Sequence, residues 1–292
     1  MHVYINMPCH EKEYSKFYNI EISYLSTSFL FDIITGKVGA VMYNFFVDDS
    51  NRQCDCYYIT GSDFNHIKNV LRMSEGDTFL VSSNGVSNLC CIESFEGETV
   101  IARITEENYQ STELPVKIYL FQGLPKSDKM ELIIQKTVEL GVHEIIPVEM
   151  NRCVVKLDEK KKKSKRERWQ TISESAAKQS KRNCIPEVFD VQTYKQALEI
   201  AKSLDLLIVP YESKNGMADT KDALGKIENG MSVGIFIGPE GGFEESEINL
   251  ATEMGGKIIS LGKRILRTET AAMTAVGMCM LHTEMNLNGE NE

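Results

Sequence analysis

Residues 238–243 read Gly238-Pro239-Glu240-Gly241-Gly242-Phe243, and they follow directly on the apolar run Val233-Gly234-Ile235-Phe236-Ile237, which has strand character. Glycines just beyond a strand let backbone approach a ligand closely. The carboxyl end of a parallel sheet is where such ligands bind. A phosphate-binding loop would close on Gly-Lys-Ser or Gly-Lys-Thr. No such triplet is present, and Glu240 would repel a triphosphate. A cofactor without phosphate, carrying a positive sulfonium, suits this loop better. By itself the stretch reads more simply as a tight turn before a helix. Glu244, Glu245 and Glu247 would then complement the helix dipole.

A second stretch decides between these readings. It runs Leu261-Gly262-Lys263-Arg264-Ile265-Leu266-Arg267-Thr268-Glu269-Thr270-Ala271, again just after a strand pattern at residues 257–261. So many polar groups in one loop need partners. Thr268 or Thr270 can cap the helix that follows. Arg267 and Glu269 either pair with each other or belong to a loop that wraps a cofactor, and the second reading carries more weight.

Outward from these loops, strands and helices alternate. Residues 116–121, 144–147, 206–209 and 233–237 read as strands. Met130, Ile133, Ile134, Thr137 and Val138 mark one face of a helix that Ser127 is expected to cap and Gly141 to end. A last helix spans about residues 270–285. This alternation predicts a parallel sheet covered on both faces, an α/β domain over residues 113–292. A nucleotide-binding methyltransferase of the Rossmann type would carry its glycine loop after the first strand, and here the glycine loops come late. The run Lys160-Lys161-Lys162-Lys163-Ser164-Lys165 reads as a mobile loop.

Residues 42–112 read differently. Short strand runs at 56–60, 77–82, 89–92 and 100–106 are divided by turn signals at Gly61, Asn84-Gly85 and Glu96-Gly97. That spacing predicts a small β-barrel. Residues 1–41 show no sustained period, while Met42-Tyr43-Asn44-Phe45-Phe46-Val47 reads like a chain start followed by a strand. Residues 1–41 are therefore expected to be a leader outside the fold.

The chain has 292 residues and a formal net charge of −10. Between Arg152 and Arg182 stand twelve Lys and Arg against four Asp and Glu. One basic segment on an acidic body is the footprint of a protein that docks RNA in one place, or else a solvated helix face. No apolar run approaches the roughly 20 residues of a membrane span, so the chain reads as soluble and cytoplasmic. Its eight cysteines include no Cys-x-x-Cys pair. Neither a metal site nor a disulfide framework is expected.

Taken together, residues 238–243 and 261–271 resemble the cofactor-binding motifs of the 16S ribosomal RNA uracil-N3 methyltransferase family. Phe121-Gln122-Gly123-Leu124-Pro125-Lys126, Asp128-Lys129-Met130-Glu131, Glu139-Leu140-Gly141-Val142 and residues 166–172 and 174–179, with Arg182 and Pro186, match as well. The resemblance covers about residue 42 to the last helix. Two departures are the leader and the single His66 where relatives often show a pair.

The resemblance implies a small N-terminal PUA-like β-barrel followed by a C-terminal SPOUT trefoil-knot domain. It implies S-adenosylmethionine bound by Gly238, Glu240, Gly242, Leu261, Gly262 and Leu266, a homodimer, and methylation of one uridine N3 in the small ribosomal subunit. Within that frame Arg267 is the candidate to stabilise charge developing on the uracil carbonyls. Glu240 and Glu269 are the candidate bases, although an ordinary glutamate, near pKa 4.3, is too acidic for efficient work at neutral pH. Arg72, Lys126, Arg152, Arg168, Lys178 and Arg182 are the candidate RNA contacts. Trp169 is a possible stacking platform that reads more readily as core. A knotted methyltransferase acting on transfer RNA, a phosphate-transferring enzyme and a non-catalytic ribosome-assembly protein are the competing readings.

Overall fold

The computed structural model describes residues 42–109, 111–212 and 216–287. The leader reading for residues 1–41 lies outside the described residues.

The first layer is a six-stranded sheet. In chain order its strands are β1 (Asn44–Phe46), β2 (Arg52–Gln53), β3 (Cys56–Ile59), β4 (Thr78–Ser83), β5 (Val86–Glu96) and β6 (Thr99–Glu106). They lie side by side as β1-β4-β5-β6-β3-β2. All neighbours are antiparallel except β1 beside β4. Register shifts between β5 and β6 at Leu89/Cys90 and Ile92/Ser94 mark bulges, which bend and twist the pair. Alternating side chains then meet in one core, where Phe45, Tyr57, Phe79 and Ile92 are almost fully buried. A short helix α1 (Gly61–Asn65) runs into a wider turn over His66–Val70 and buries Ile67 against that core. This is the PUA-like unit.

The second layer is a parallel sheet ordered β10-β8-β7-β12-β11-β13, with β9 paired to β8. Its strands are β7 (Lys117–Gly123), β8 (Glu144–Glu149), β9 (Glu187–Val188), β10 (Gln192–Thr193), β11 (Leu206–Pro210), β12 (Ser232–Ile237) and β13 (Lys257–Ile259). Helices α2 (Lys129–Glu139), α3 (Glu159–Gln179), α4 (Tyr194–Ala201), α5 (Ala218–Leu224), α6 (Glu245–Glu253) and α7 (Thr268–Leu287) connect or flank them. The central strands are mostly apolar because both faces are covered: Ile118, Leu120 and Phe121 of β7 and Val233, Ile235 and Phe236 of β12 are fully buried. Phe121 stacks on Phe236 with centroids 4.3 Å apart. After edge strand β13 the chain returns to the middle of the sheet, where Thr268 reaches both β7 and the loop after β12. That return sets the loop after β13 against the loop after β12.

Two local expectations are corrected. Residues 160–165 are helical, within α3, and do not form a loop. Asp158 caps the helix by accepting from Lys161 N–H at 2.8 Å, and Lys162 pairs with Glu159 at 3.0 Å and Glu149 at 3.4 Å. These partners relieve the repulsion within the run, and lysine is itself a good helix former. Ser127 does not cap α2. It sits at φ +57°, the cap position is Asp128, and neither side chain closes the turn. Gly141 does end α2, at φ +91° with its N–H on Val138 O.

Among the described residues the two layers are tied around the end of α3. Asn44 Nδ2 donates to Arg182 O at 2.9 Å, and Ser82 Oγ donates to Asn44 Oδ1 at 2.9 Å. Lys178 of α3 reaches Asp63 of α1 at 3.5 Å.

Candidate active site

The loops leaving β11, β12 and β13, together with the start of α7, enclose a cavity of about 440 Å³. That falls within the usual range of small-ligand sites, roughly 300–1,000 Å³. Its walls include Tyr211, Gly238, Glu240, Gly242, Leu261, Gly262, Leu266 and Arg267. All six residues expected to hold a cofactor therefore face one space, drawn from two loops whose nearest members, Gly242 and Leu261, are 19 positions apart in the chain.

The backbone is shaped for that space. A Cβ on Gly238 would stand 3.2 Å from both the Gly242 backbone and the Phe243 ring, so a side chain would force the loop open. Gly262 lies at φ +108°, where an added Cβ would meet nothing within 4 Å, and only glycine adopts that conformation freely. Buried hydroxyls brace the loops from behind. Thr220 Oγ1 donates to Ser260 O at 2.7 Å and accepts from Ser260 N–H at 3.2 Å. Thr268 Oγ1 donates to Gly238 O at 2.7 Å and accepts from Gln122 Nε2 at 3.0 Å. One threonine thus fixes three chain segments that are distant in sequence. Gln122, Thr220, Ser260 and Thr268 were not among the expected site residues. Short polar side chains next to glycine loops were the only signal for them.

Charge within the site centres on Lys129, which stands in the matching stretch Asp128-Lys129-Met130-Glu131 but was not among the expected site residues. Its ammonium lies 2.9 Å from Glu240 Oε1 and 3.5 Å from Glu269 Oε2. Glu240 Oε1 further accepts from Lys126 N–H at 3.1 Å. Burial alone would raise the Glu240 carboxyl, but Lys129 and the backbone N–H donors outweigh it and hold the group below its ordinary value. Glu240 is thus a poor proton acceptor, and its candidacy as a base is corrected: it is an anchored carboxylate on the cavity wall. The hydrogen bond to Glu240, set against partial burial, likewise holds the Lys129 ammonium above its ordinary value. Glu269 pairs with Lys129 and not with Arg267. Among the described residues Arg267 is exposed, lines the cavity and has no ion-pair partner.

The expected RNA contacts divide. Arg182 is 2% exposed, so it is corrected: its guanidinium donates to Val138 O and Val142 O at 3.0 Å each and pairs with Glu113 at 2.5 Å. No donor is left for a phosphate. Arg168 is held by Glu131 at 2.7 Å, and Lys178 by Glu174 at 3.1 Å. Arg152 lies against the glycine loop, donating to Gly241 O at 3.1 Å. Arg72 and Lys126 are exposed, and no side-chain ion pair engages them among the described residues. Trp169 is 3% exposed and belongs to the core.

Comparison with known proteins follows this geometry. Residues 112–280 match a family model described as an RNA methyltransferase domain, and residues 59–107 match one described as an RNA methyltransferase PUA domain. The ribosomal RNA small subunit methyltransferase E of Bacillus subtilis is 41% identical over 251 residues, covering 84% of this chain and 98% of that protein. Its namesake in Mesomycoplasma hyopneumoniae is 34% identical, covering 82% and 99%. Among solved structures, the ribosomal RNA small subunit methyltransferase E of Neisseria gonorrhoeae bound to S-adenosyl methionine superposes with a TM-score of 0.68. It is 30% identical and covers 82% of this chain and 97% of that one.

Proposed function

This chain belongs to the RNA methyltransferase family defined by those models and small-subunit relatives, and from that premise we propose that it methylates N3 of one uridine in 16S ribosomal RNA with S-adenosylmethionine as donor. The observation that carries the reading is the cavity at the carboxyl ends of β11, β12 and β13, walled by both glycine loops and edged by the unpaired Arg267. The residues present fit the cofactor. The loop backbone packs closely on itself at Gly238 and turns at positive φ at Gly262, and the anchored Glu240 carboxylate complements a sulfonium.

When bound, S-adenosylmethionine supplies an electrophilic methyl group. Gly238, Gly242, Leu261, Gly262 and Leu266 hold it, and the Thr268 bridge keeps their loops in place. Positioning accounts for most of the acceleration in such a transfer, up to roughly 7–11 kcal/mol in ideal cases. Uracil N3 must lose a proton, which leaves negative charge on the neighbouring carbonyl oxygens. Arg267 is the cation assigned to them. Proton acceptance is assigned to Glu269, whose Oε2 lies 3.5 Å from the Lys129 ammonium, a longer contact than the one that anchors Glu240.

In this reading residues 42–112 form the RNA-docking barrel and residues 113–292 the methyltransferase domain. The substrate is 16S RNA within the small ribosomal subunit in the cytoplasm. Two copies pair through the last helix, where Leu281 and Met285 are 51% and 71% exposed. Among the described residues no helix is long and apolar enough to cross a membrane. The test is methyl transfer from labelled S-adenosylmethionine to purified small subunits and to bulk transfer RNA in parallel, with mass mapping of the product. Methyl-3-uridine in small-subunit RNA alone is the expected result. Label in transfer RNA alone would transfer the activity to the other knotted class, and cofactor binding without transfer would leave a non-catalytic assembly role.

A further inference from the structure

The cations expected to meet RNA are mostly consumed by the protein itself: Arg168, Lys178 and Arg182 are ion-paired, and Arg152 is bonded to the glycine loop. The loop after β13 behaves differently. Lys263 and Arg264 both line the cavity and are both exposed, and among the described residues neither has an ion-pair or hydrogen-bond partner. Beside them Ile265 is 88% exposed, the most exposed large apolar side chain among the described residues. A solvated charge run does not need an apolar tip, and a folded loop does not gain by exposing one. Two unpaired cations around a protruding apolar side chain are what a nucleic-acid strand meets: phosphate on the charges, an unstacked base on the apolar surface.

We propose that Lys263 and Arg264 form a phosphate clamp at the cavity mouth, gripping the RNA backbone beside the nucleotide to be methylated, with Ile265 packed against a neighbouring base. The inference rests on the reading of the cavity as an RNA methyltransferase centre. It shifts RNA recognition from the basic face of α3 to the cofactor loop itself. Occupation of the cavity and seating of the acceptor strand then involve one segment, residues 260–267, braced by Thr220 and Thr268.

The experiment measures binding of the full chain to 16S RNA in purified small subunits, and separately to transfer RNA, across a salt series with S-adenosylmethionine saturating. Each lost phosphate contact lowers the slope of log affinity against log salt by about 0.7–0.9. The double variant Lys263→Ala with Arg264→Ala is expected to lower that slope by roughly 1.5 on whichever RNA the wild type binds. The swap Lys263→Arg with Arg264→Lys keeps both charges and is expected to keep the slope, which separates lost contact from misfolding. A wild-type slope in the alanine variant overturns the clamp. Binding to transfer RNA only, with the slope still reduced by the alanine variant, overturns the small-subunit reading and upholds the clamp. Binding to neither RNA overturns both.

Discussion

Lys129 Nζ stands 2.9 Å from Glu240 Oε1, joining the first turn of α2 to the glycine loop after β12. The pair bridges 111 positions of sequence and places a fixed negative charge on the wall of a cavity suited to a cationic cofactor. Because Lys129 also reaches Glu269, one ammonium sets the electrostatics of both carboxylates that sequence reasoning had offered as bases.

Replacing Lys129 by Met removes that ammonium while keeping the stem. The Glu240 carboxyl is then expected to rise from its depressed value. The wild-type carboxylate stays ionised as pH falls below the ordinary glutamate value; in the variant protonation begins at higher pH. The acid limb of cofactor affinity is expected to move upward, as read by calorimetric titration between pH 4 and 8 on the scale of ordinary glutamate titration. The half-exposed pair itself contributes about 0–1 kcal/mol to stability, so the melting temperature should change little. An unmoved acid limb would show that Glu240 does not contribute through its charge.

Arg267→Lys retains a positive charge and loses the planar fork. Folding and cofactor binding are expected to persist, while kcat falls by roughly 10²-fold, the scale of losing one aimed donor. Single-turnover methylation of small subunits measures it. Full activity in the variant would refute the assigned role.

Thr268→Val preserves shape and deletes the hydroxyl. Gly238 O and one Gln122 amide hydrogen then lose a buried partner, at a cost of about 1–3 kcal/mol. The loss should be larger for cofactor affinity than a uniform destabilisation would give, because the released group lies on the glycine loop. Thr268→Ser should restore most of both. Denaturant melts and cofactor titration together check the pattern.

Glu113 and Arg182 form the buried pair at the junction of the two sheets. Burial by itself raises the Glu113 carboxyl, but Arg182 and the Asn183 N–H outweigh it and hold the group below its ordinary value. The folded value is thus depressed. The pair's stabilisation is complete above the unfolded value and is lost as pH falls through the folded one. Urea melts from pH 7 to pH 3 should show this loss. Glu113→Gln, which leaves the Arg182 charge uncompensated, should cost about 3–5 kcal/mol at pH 7 and flatten the acid dependence.

Much of the fold could be read from the chain itself. The period of Met130, Ile133, Ile134, Thr137 and Val138, closed by Gly141, describes α2 as it is. The apolar runs of β7 and β12 announce a sheet covered on both faces. The lysine run, which reads as a mobile loop, is helical, and the repulsion among its charges is relieved. Its relief comes from Glu149, ten and more residues upstream, as well as from Asp158 and Glu159 within the helix's own first turn. Arg182 was misread because a basic residue in a basic segment looks exposed. Nothing local shows that Val138 O, Val142 O and Glu113 converge on it.

The sequence by itself therefore marked the two glycine loops that border the cavity, because glycines placed just after a strand leave a sign in the local pattern. Only the tertiary structure decided the charges. Whether an arginine meets RNA, a carbonyl or a glutamate, and whether a glutamate can take a proton, depends on partners brought together across more than 60 positions of chain, as Arg182 with Glu113 and Lys129 with Glu240 show. Electrostatic interaction depends on distance in space, and the chain folds back on itself before that distance is set.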